Sequence, residues 1–173
     1  MTSAIRIGIV VSMIALGSLP VRAEAADGRS VQIGGDFGAL GSWWAGSFAG
    51  GEVRVSVPVN DRRDVETFVG AARPAGDDTL GFYGVMLKQR LRSSRASGLQ
   101  PFLSFGAAGI AYFDRNNSIV TPPFAGIVGG GVERQVHRRL TVRVEAQVLT
   151  LLVIPVAVRV MTGVSVPIGR TTR

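Results

Sequence analysis

Leu140-Thr-Val-Arg-Val-Glu-Ala-Gln-Val148 is the stretch that decides the fold. Every even position in it is apolar, and the odd positions between them hold Thr141, Arg143, Glu145 and Gln147. Successive strand residues point to opposite sides, so as a strand this stretch carries one apolar row and one polar, charged row. A helix would spread both kinds around its circumference. Three more stretches repeat the pattern. Val53, Val55, Val57 and Val59 alternate with Glu52, Arg54, Ser56 and Pro58. Ile154 to Ile168 alternates with Arg159, Gly163 and Ser165 on the less apolar side. Val31 to Ala39 sets Val31, Ile33 and Phe37 against Gln32, Gly34, Asp36 and Gly38.

Weaker strands lie between these. Asp64 to Arg73 alternates loosely. Thr79 to Arg92 carries Leu80 and Phe82, then Tyr83, Val85 and Leu87, a change of phase of the kind a β-bulge produces. Val85 to Ser94 also has the composition of a short helix. Leu99 to Phe113 keeps Leu103 and Phe105 on one face and Ser104 and Gly106 on the other, and Phe124 to Val136 is rich in glycine. Turn signals at Asn60–Arg63, Pro74–Asp78, Arg92–Gly98, Asp114–Thr121 and Val136–Arg139 separate the runs, giving eight strands. Pro58, Pro101, Pro155 and Pro167 fall near strand ends, where a lost ladder bond is tolerable. Leu149 to Val153 is unexpectedly apolar for a connection and reads as a tight hairpin dipping into lipid.

Composition narrows the class. The chain has 173 residues, 46% hydrophobic and 18% charged, with 23 glycines and no cysteine. It is too apolar for disorder, one domain long, and without thiols for disulfides or thiolate metal sites. Residues 1–25 read as a cleaved signal peptide: Arg6, an apolar core from Ile7 to Gly17, then Ala23-Glu-Ala25. That leaves residues 26–173 as one exported domain, with no apolar run long enough for a spanning helix. Such a chain hides its apolar rows either inside a soluble barrel or against lipid. Transmembrane strands need about 9–11 residues each, and an even number closes the sheet without edges. The residues available suffice for eight such strands. The reading is therefore an all-β, eight-stranded antiparallel up-and-down transmembrane β-barrel after a cleaved signal peptide, apolar outward and polar inward. The alternative is a soluble, exported, lipocalin-like barrel that binds a small apolar ligand. The two differ in which face of the strands is dry.

With its signal peptide, eight alternating strands, Gly-rich inner rows and short turns, residues 27–169 resemble the small eight-stranded outer-membrane barrels, including the transmembrane domain of outer-membrane protein A. The resemblance implies an outer-membrane location, membrane lipid as surroundings and the barrel-assembly machinery as a partner during biogenesis. Such barrels often end in an aromatic residue read by that machinery. This chain ends Val164-Ser-Val-Pro-Ile-Gly-Arg-Thr-Thr-Arg173, so either Ile168 substitutes or the chain is not a standard substrate.

The inward polar rows supply the candidate site residues. Glu52, Arg54, Glu66, Arg143, Glu145 and Arg159 form a lumen network of paired charges, since buried charges must pair. An eight-stranded interior is just wide enough for side chains to fill, which argues against an open pore. Trp43, Trp44, Phe48, Tyr83, Tyr112 and Phe113 fall near strand ends and read as an interface aromatic girdle. His137, the only histidine, stands in a turn beside Arg138 and Arg139. A lipid A deacylase of this barrel type would need a Ser and an acid near it, and Arg139 occupies the position two residues on. No catalytic residue, cofactor or metal site is expected, and the non-enzymatic barrel is expected to be a monomer. All basic residues except Lys88 are arginine. Arg62, Arg63, Arg92, Arg95, Arg138, Arg139, Arg170 and Arg173 collect at one end of the barrel, the periplasmic end if the N-terminus lies there. They are solvated turn residues or a basic ring for anionic headgroups or an acidic partner. Export makes nucleic acid a poor partner despite the pI of about 11.3.

Overall fold

The computed structural model describes residues 30–42, 46–73, 79–92, 98–113, 118–120, 125–151 and 154–168. The expected signal peptide lies outside the described residues. The strands are β1 (Val31–Ser42), β2 (Gly46–Asn60), β3 (Arg63–Arg73), β4 (Thr79–Arg90), β5 (Gln100–Phe113), β6 (Ser118–Val120), β7 (Ala125–His137), β8 (Leu140–Leu151) and β9 (Ile154–Ile168). Each pairs antiparallel with its neighbours, and β1 pairs with both β2 and β9. β4 also pairs with β5, so the sheet closes. β6 pairs with Ala111–Phe113 of β5 and β7 with Gln100–Ala108 of the same strand. The two pieces fill one lane of the wall, and the closed barrel has eight strands.

At about 3.4 Å per residue and a tilt of ~40°, a 12-residue strand rises about 31 Å, enough for an apolar band of about 25 Å. Val31 pairs with Ile168, so the start of β1 and the end of β9 share one rim, here the proximal rim. The β2–β3 and β7–β8 turns lie on the same rim. Asn60 Oδ1 accepts hydrogen bonds from the amides of Arg62 (3.0 Å) and Arg63 (2.9 Å), which closes the first of these turns. Ser42, Gly46, Arg73 and Thr79 mark the opposite, distal rim.

Alternation sorts the wall as the sequence implies. Exposed large apolar residues come from every lane: Phe37 of β1, Val53 of β2, Val69 of β3, Val85 of β4, Phe105 of β5, Val128 of β7, Val144 of β8 and Val160 of β9. The inner rows hold the buried charges. A soluble barrel with an apolar ligand site would have these rows reversed, so the lipocalin-like alternative is not this molecule.

Two local expectations are corrected. β4 has no bulge: its pairing with β3 and β5 is continuous from end to end. Leu80 and Phe82 share the row of Lys88, and Tyr83, Val85 and Leu87 form the other row. The apparent change of phase arises because apolar residues stand on both rows of the distal half. Nor is the described part of Val85 to Ser94 helical, since β4 runs through Arg90. Irregular pairing occurs instead at Pro58/Asn60, Gln135/His137 and Leu149/Thr150.

Candidate functional site

The inner rows divide into two zones along the barrel axis. The distal zone is apolar. Phe68, Ala72, Phe82, Met86, Ala108, Ile127, Leu149 and Ala157 pack together there, with Leu40 and Phe48 against them. Leu149 therefore points into the lumen, and the apolar run that begins with it contributes a plug residue at its first position. Glycine makes room for the large side chains. A Cβ on Gly70 would collide with the Phe82 ring, and one on Gly84 would meet Phe68 Cζ at 2.6 Å. In so narrow a barrel each large inner residue needs a small one opposite.

The rest of the lumen is a network of ions. Asp36, Glu52, Asp64, Glu66, Glu133 and Glu145 are buried there, with Arg54, Lys88, Arg143 and Arg159, while Arg90 is half-buried at its proximal mouth. Arg54 is the hub. Its Nη1 donates to Glu66 at 2.7 Å and to Glu145 at 3.0 Å, its Nη2 pairs closely with Glu52, and its Nε lies 3.2 Å from Asp36. Arg143 grips Asp36 with a two-pronged contact, Nε to Oδ1 at 2.8 Å and Nη2 to Oδ2. This fork geometry is what guanidinium offers and ammonium does not. Glu66 joins the network to its mouth: it faces Arg54, Arg143 and, at 2.9 Å, Lys88. Lys88 also meets Glu133 at 3.1 Å and Asp64 at 3.4 Å, and Arg90 contacts the same two acids.

Neutral donors satisfy remaining carboxylate lone pairs. Ser104 Oγ and Gln147 Nε2 each donate to Glu145 Oε1 at 2.6 Å, and Ser56 Oγ to Glu66 at 3.2 Å. Arg159 sits at the boundary of the two zones. Its Nη1 donates to Glu52 at 2.8 Å, its Nε pairs with Gln147, and its guanidinium lies 4.7 Å from the Phe68 ring centre and 5.7 Å from that of Phe82. Among the described residues Arg159 Nη2 has no hydrogen-bond acceptor. The aromatic faces supply part of what an acceptor would, by cation–π attraction.

All six residues expected in the lumen thus meet one another. Sequence reading missed Asp36, Asp64, Lys88, Arg90, Glu133 and Gln147 as members. Lys88 and Arg90 were findable, because both share the parity of Phe82 and Met86 in an unbroken β4. The aromatic residues fare differently. Phe48 is not on an outer girdle: it shares the inner row with Glu52 and Arg54 and packs on the apolar plug, so parity overrides nearness to a strand end. Tyr83 faces outward, its ring over Gly109 of β5, where a Cβ would meet Tyr83 Cζ at 2.6 Å. It is the fifth residue of β4, within the wall rather than at the rim. Trp43 and Trp44 lie outside the described residues, as do the side chains of Tyr112 and Phe113. His137 is exposed, its Nδ1 accepting the Arg139 amide at 3.4 Å, a contact internal to the turn. Among the described residues no cluster of His, Cys, Asp and Glu has metal-site geometry.

The closed eight-stranded wall superposes on known structures. The N-terminal β-barrel domain of Pseudomonas aeruginosa OprF superposes with a TM-score of 0.59 at 13% identity, covering 80% of this chain and 97% of that one. The chain has the fold of the small eight-stranded outer-membrane barrels. Neisserial surface protein A matches this barrel with a TM-score of 0.58 at 14% identity, over 83% of this chain and 99% of that one. Ail of Yersinia pestis, the attachment invasion locus protein, matches with a TM-score of 0.51 at 13% identity, over 79% and 95%. No protein-family model and no curated protein matches the sequence.

Proposed function

We propose that this barrel is a non-enzymatic outer-membrane protein, held in lipid as a monomer, with a structural or interaction role and a non-conducting lumen. The observation that carries the reading is the exposed apolar row on every lane of the wall. On a soluble monomer that surface would far exceed the few hundred Å² such proteins normally expose. The fold shared with outer-membrane barrels supports the same location. Burial supports the closed lumen: Glu66 is 0% exposed, and Lys88, Met86, Phe102, Ile127, Glu145 and Gln147 are each 1% exposed. A water-filled path would wet these side chains. The paired charges serve as packing, and Ser56 and Ser104, which donate to Glu66 and Glu145, are buried among them away from solvent. The barrel-assembly machinery inserts the chain.

Heat-modifiability tests the reading. Protein extracted in mild detergent from the outer-membrane fraction should migrate faster unboiled than boiled on a denaturing gel. A chain recovered in the soluble periplasmic fraction, with one mobility, would refute it.

A further inference from the structure

Charge is divided unevenly between the two rims. On the proximal rim Arg62, Arg63, Arg92, Arg134, Arg138 and Arg139 are all exposed, with Asp61 as the acidic exception among the described residues. On the distal rim Arg73 is exposed. Among the described residues the proximal rim carries the larger excess of positive charge.

Several proximal arginines are also placed where the apolar wall ends. Arg63 and Arg134 continue the outward rows of β3 and β7, two positions beyond Val65 and Val132. Gln89 continues the outward row of β4 beyond Leu87. Its Oε1 accepts a hydrogen bond from Arg63 Nε at 2.8 Å, and its Nε2 donates to the carbonyls of Arg90 at 3.1 Å and Arg62 at 3.5 Å. This holds the Arg63 guanidinium at the border of the apolar surface. Asn60, Asp61, Arg62, Arg63 and Gln89 border a shallow, open depression there. Leu91, Leu99 and Val136, all exposed, lie at the same level.

We propose that the proximal rim is a binding surface for anionic phospholipid, with the headgroup phosphate on Arg62 and Arg63 and the acyl chains along the outward rows of Val65 and Leu87. The inference rests on the lipid-embedded reading and adds to it a headgroup preference and a place. A guanidinium pairs with two phosphate oxygens at once. Its position at the foot of apolar rows selects a phosphate that carries an apolar tail, and so favours lipid over free phosphate or an acidic protein. Each arginine near an anionic surface contributes about fivefold in binding.

The test uses the protein purified from membranes in mild detergent and titrated with phosphatidylglycerol or phosphatidylcholine, with retained lipid counted by native mass spectrometry. The wild type should hold phosphatidylglycerol at least ~10-fold more tightly. Arg62→Gln/Arg63→Gln should lose about 25-fold of that binding, two arginines at about fivefold each. Arg73→Gln on the distal rim should lose none. Equal retention of the two lipids, or an undiminished preference in the double variant, would overturn the proposal while heat-modifiability still held. Displacement of phosphatidylglycerol by equimolar inorganic phosphate would overturn the choice of lipid as ligand. Loss of the gel shift in the wild type would instead overturn the embedded barrel beneath it.

Discussion

Arg54→Met puts the lumen network to its most direct test. The replacement keeps a long unbranched side chain and removes the charge. Arg54 lies within ion-pair distance of Asp36, Glu52, Glu66 and Glu145. Without it these four carboxylates are left with Arg143, Arg159 and Lys88. Glu145 loses the one cation with which it makes a direct ion pair among the described residues, and keeps only Ser104 and Gln147. Removing one partner of a buried pair costs about 3–5 kcal/mol, because the other charge stays buried. With a urea dependence of about 2 kcal/mol per molar, the unfolding midpoint should fall by about 2 M. Arg54→Lys retains the charge as a compact point that cannot reach four directions, so it should fall between wild type and Arg54→Met. Adding Glu145→Gln to Arg54→Met removes the most isolated carboxylate and should restore part of the loss. The assay is a urea titration of each protein folded into lipid vesicles, scored by the folded band on an unboiled gel. An Arg54→Met midpoint equal to wild type, or no recovery in the double variant, would refute the account of the lumen as a charge-compensated core.

Three further outcomes follow from the same geometry. Val160→Arg places a charge on the outward row near the middle of β9, which should cost about 2–4 kcal/mol against lipid and reduce the folded yield in vesicles; an unchanged yield would mean that face does not meet lipid. Gly163→Ala would drive a Cβ into Asp36 and to 2.7 Å from the Gly35 carbonyl, displacing the Asp36–Arg143 fork. It should destabilise by about 1–3 kcal/mol in the same titration, whereas Gly35→Ala, whose Cβ would first meet an atom at 4.0 Å, should be near neutral. Wild-type protein in a planar bilayer should give no current steps, and reproducible conductance would contradict a lumen closed by Phe68, Phe82 and the ion pairs.

Where the lumen is charged, the sequence could be read. β2 and β8 set charged or polar residues against apolar ones, and Arg159 stands between Val158 and Val160 in β9, so parity alone placed Glu52, Arg54, Arg143, Glu145 and Arg159 inside. Where the lumen is apolar, the contrast between rows disappears. Phe82 inside and Tyr83 outside look alike to a hydrophobicity pattern, and their succession imitates a bulge. Carrying one parity backward from Arg90 and Lys88 would have placed Phe82 correctly. Phe48 shows the same lesson from the other side: its parity with Glu52 was more informative than its aromatic ring. In β7 the signal is weaker still, because Gly129, Gly130 and Gly131 mark neither face, and Glu133 next to Arg134 offers two charges for one inner position. Only three-dimensional contact, with Lys88 and Arg90, selects Glu133.

The charged interior also bears on how the sequence specifies one barrel. A buried ion network is a poor source of stability, since desolvation offsets much of the attraction. Its value here lies in register. Sliding any strand by one residue exchanges its two rows. For β2 that would turn Glu52 and Arg54 to the lipid, take from Glu145 and Arg159 the ion pairs they make with Arg54 and Glu52, and leave Asp36 and Glu66 with Arg143 and Lys88 alone. An outward arginine costs about 2–4 kcal/mol near the bilayer centre, an outward carboxylate less, and the loss of the Glu145 and Arg159 ion pairs adds to that. An apolar lumen of the same volume would exact no such penalty, because valine tolerates either face. It would also give exported strands that are apolar on both rows, the composition most prone to aggregate in water before insertion. The distal plug can be apolar because the register is already fixed by the charges on the same strands: Glu66 holds Phe68 inside, Lys88 holds Met86 and Phe82, and Gln147 and Arg159 hold Leu149 and Ala157. On this argument, replacing the plug with other apolar residues of equal volume should leave the fold intact, while moving a single Arg–Glu pair from inner to outer row should abolish it.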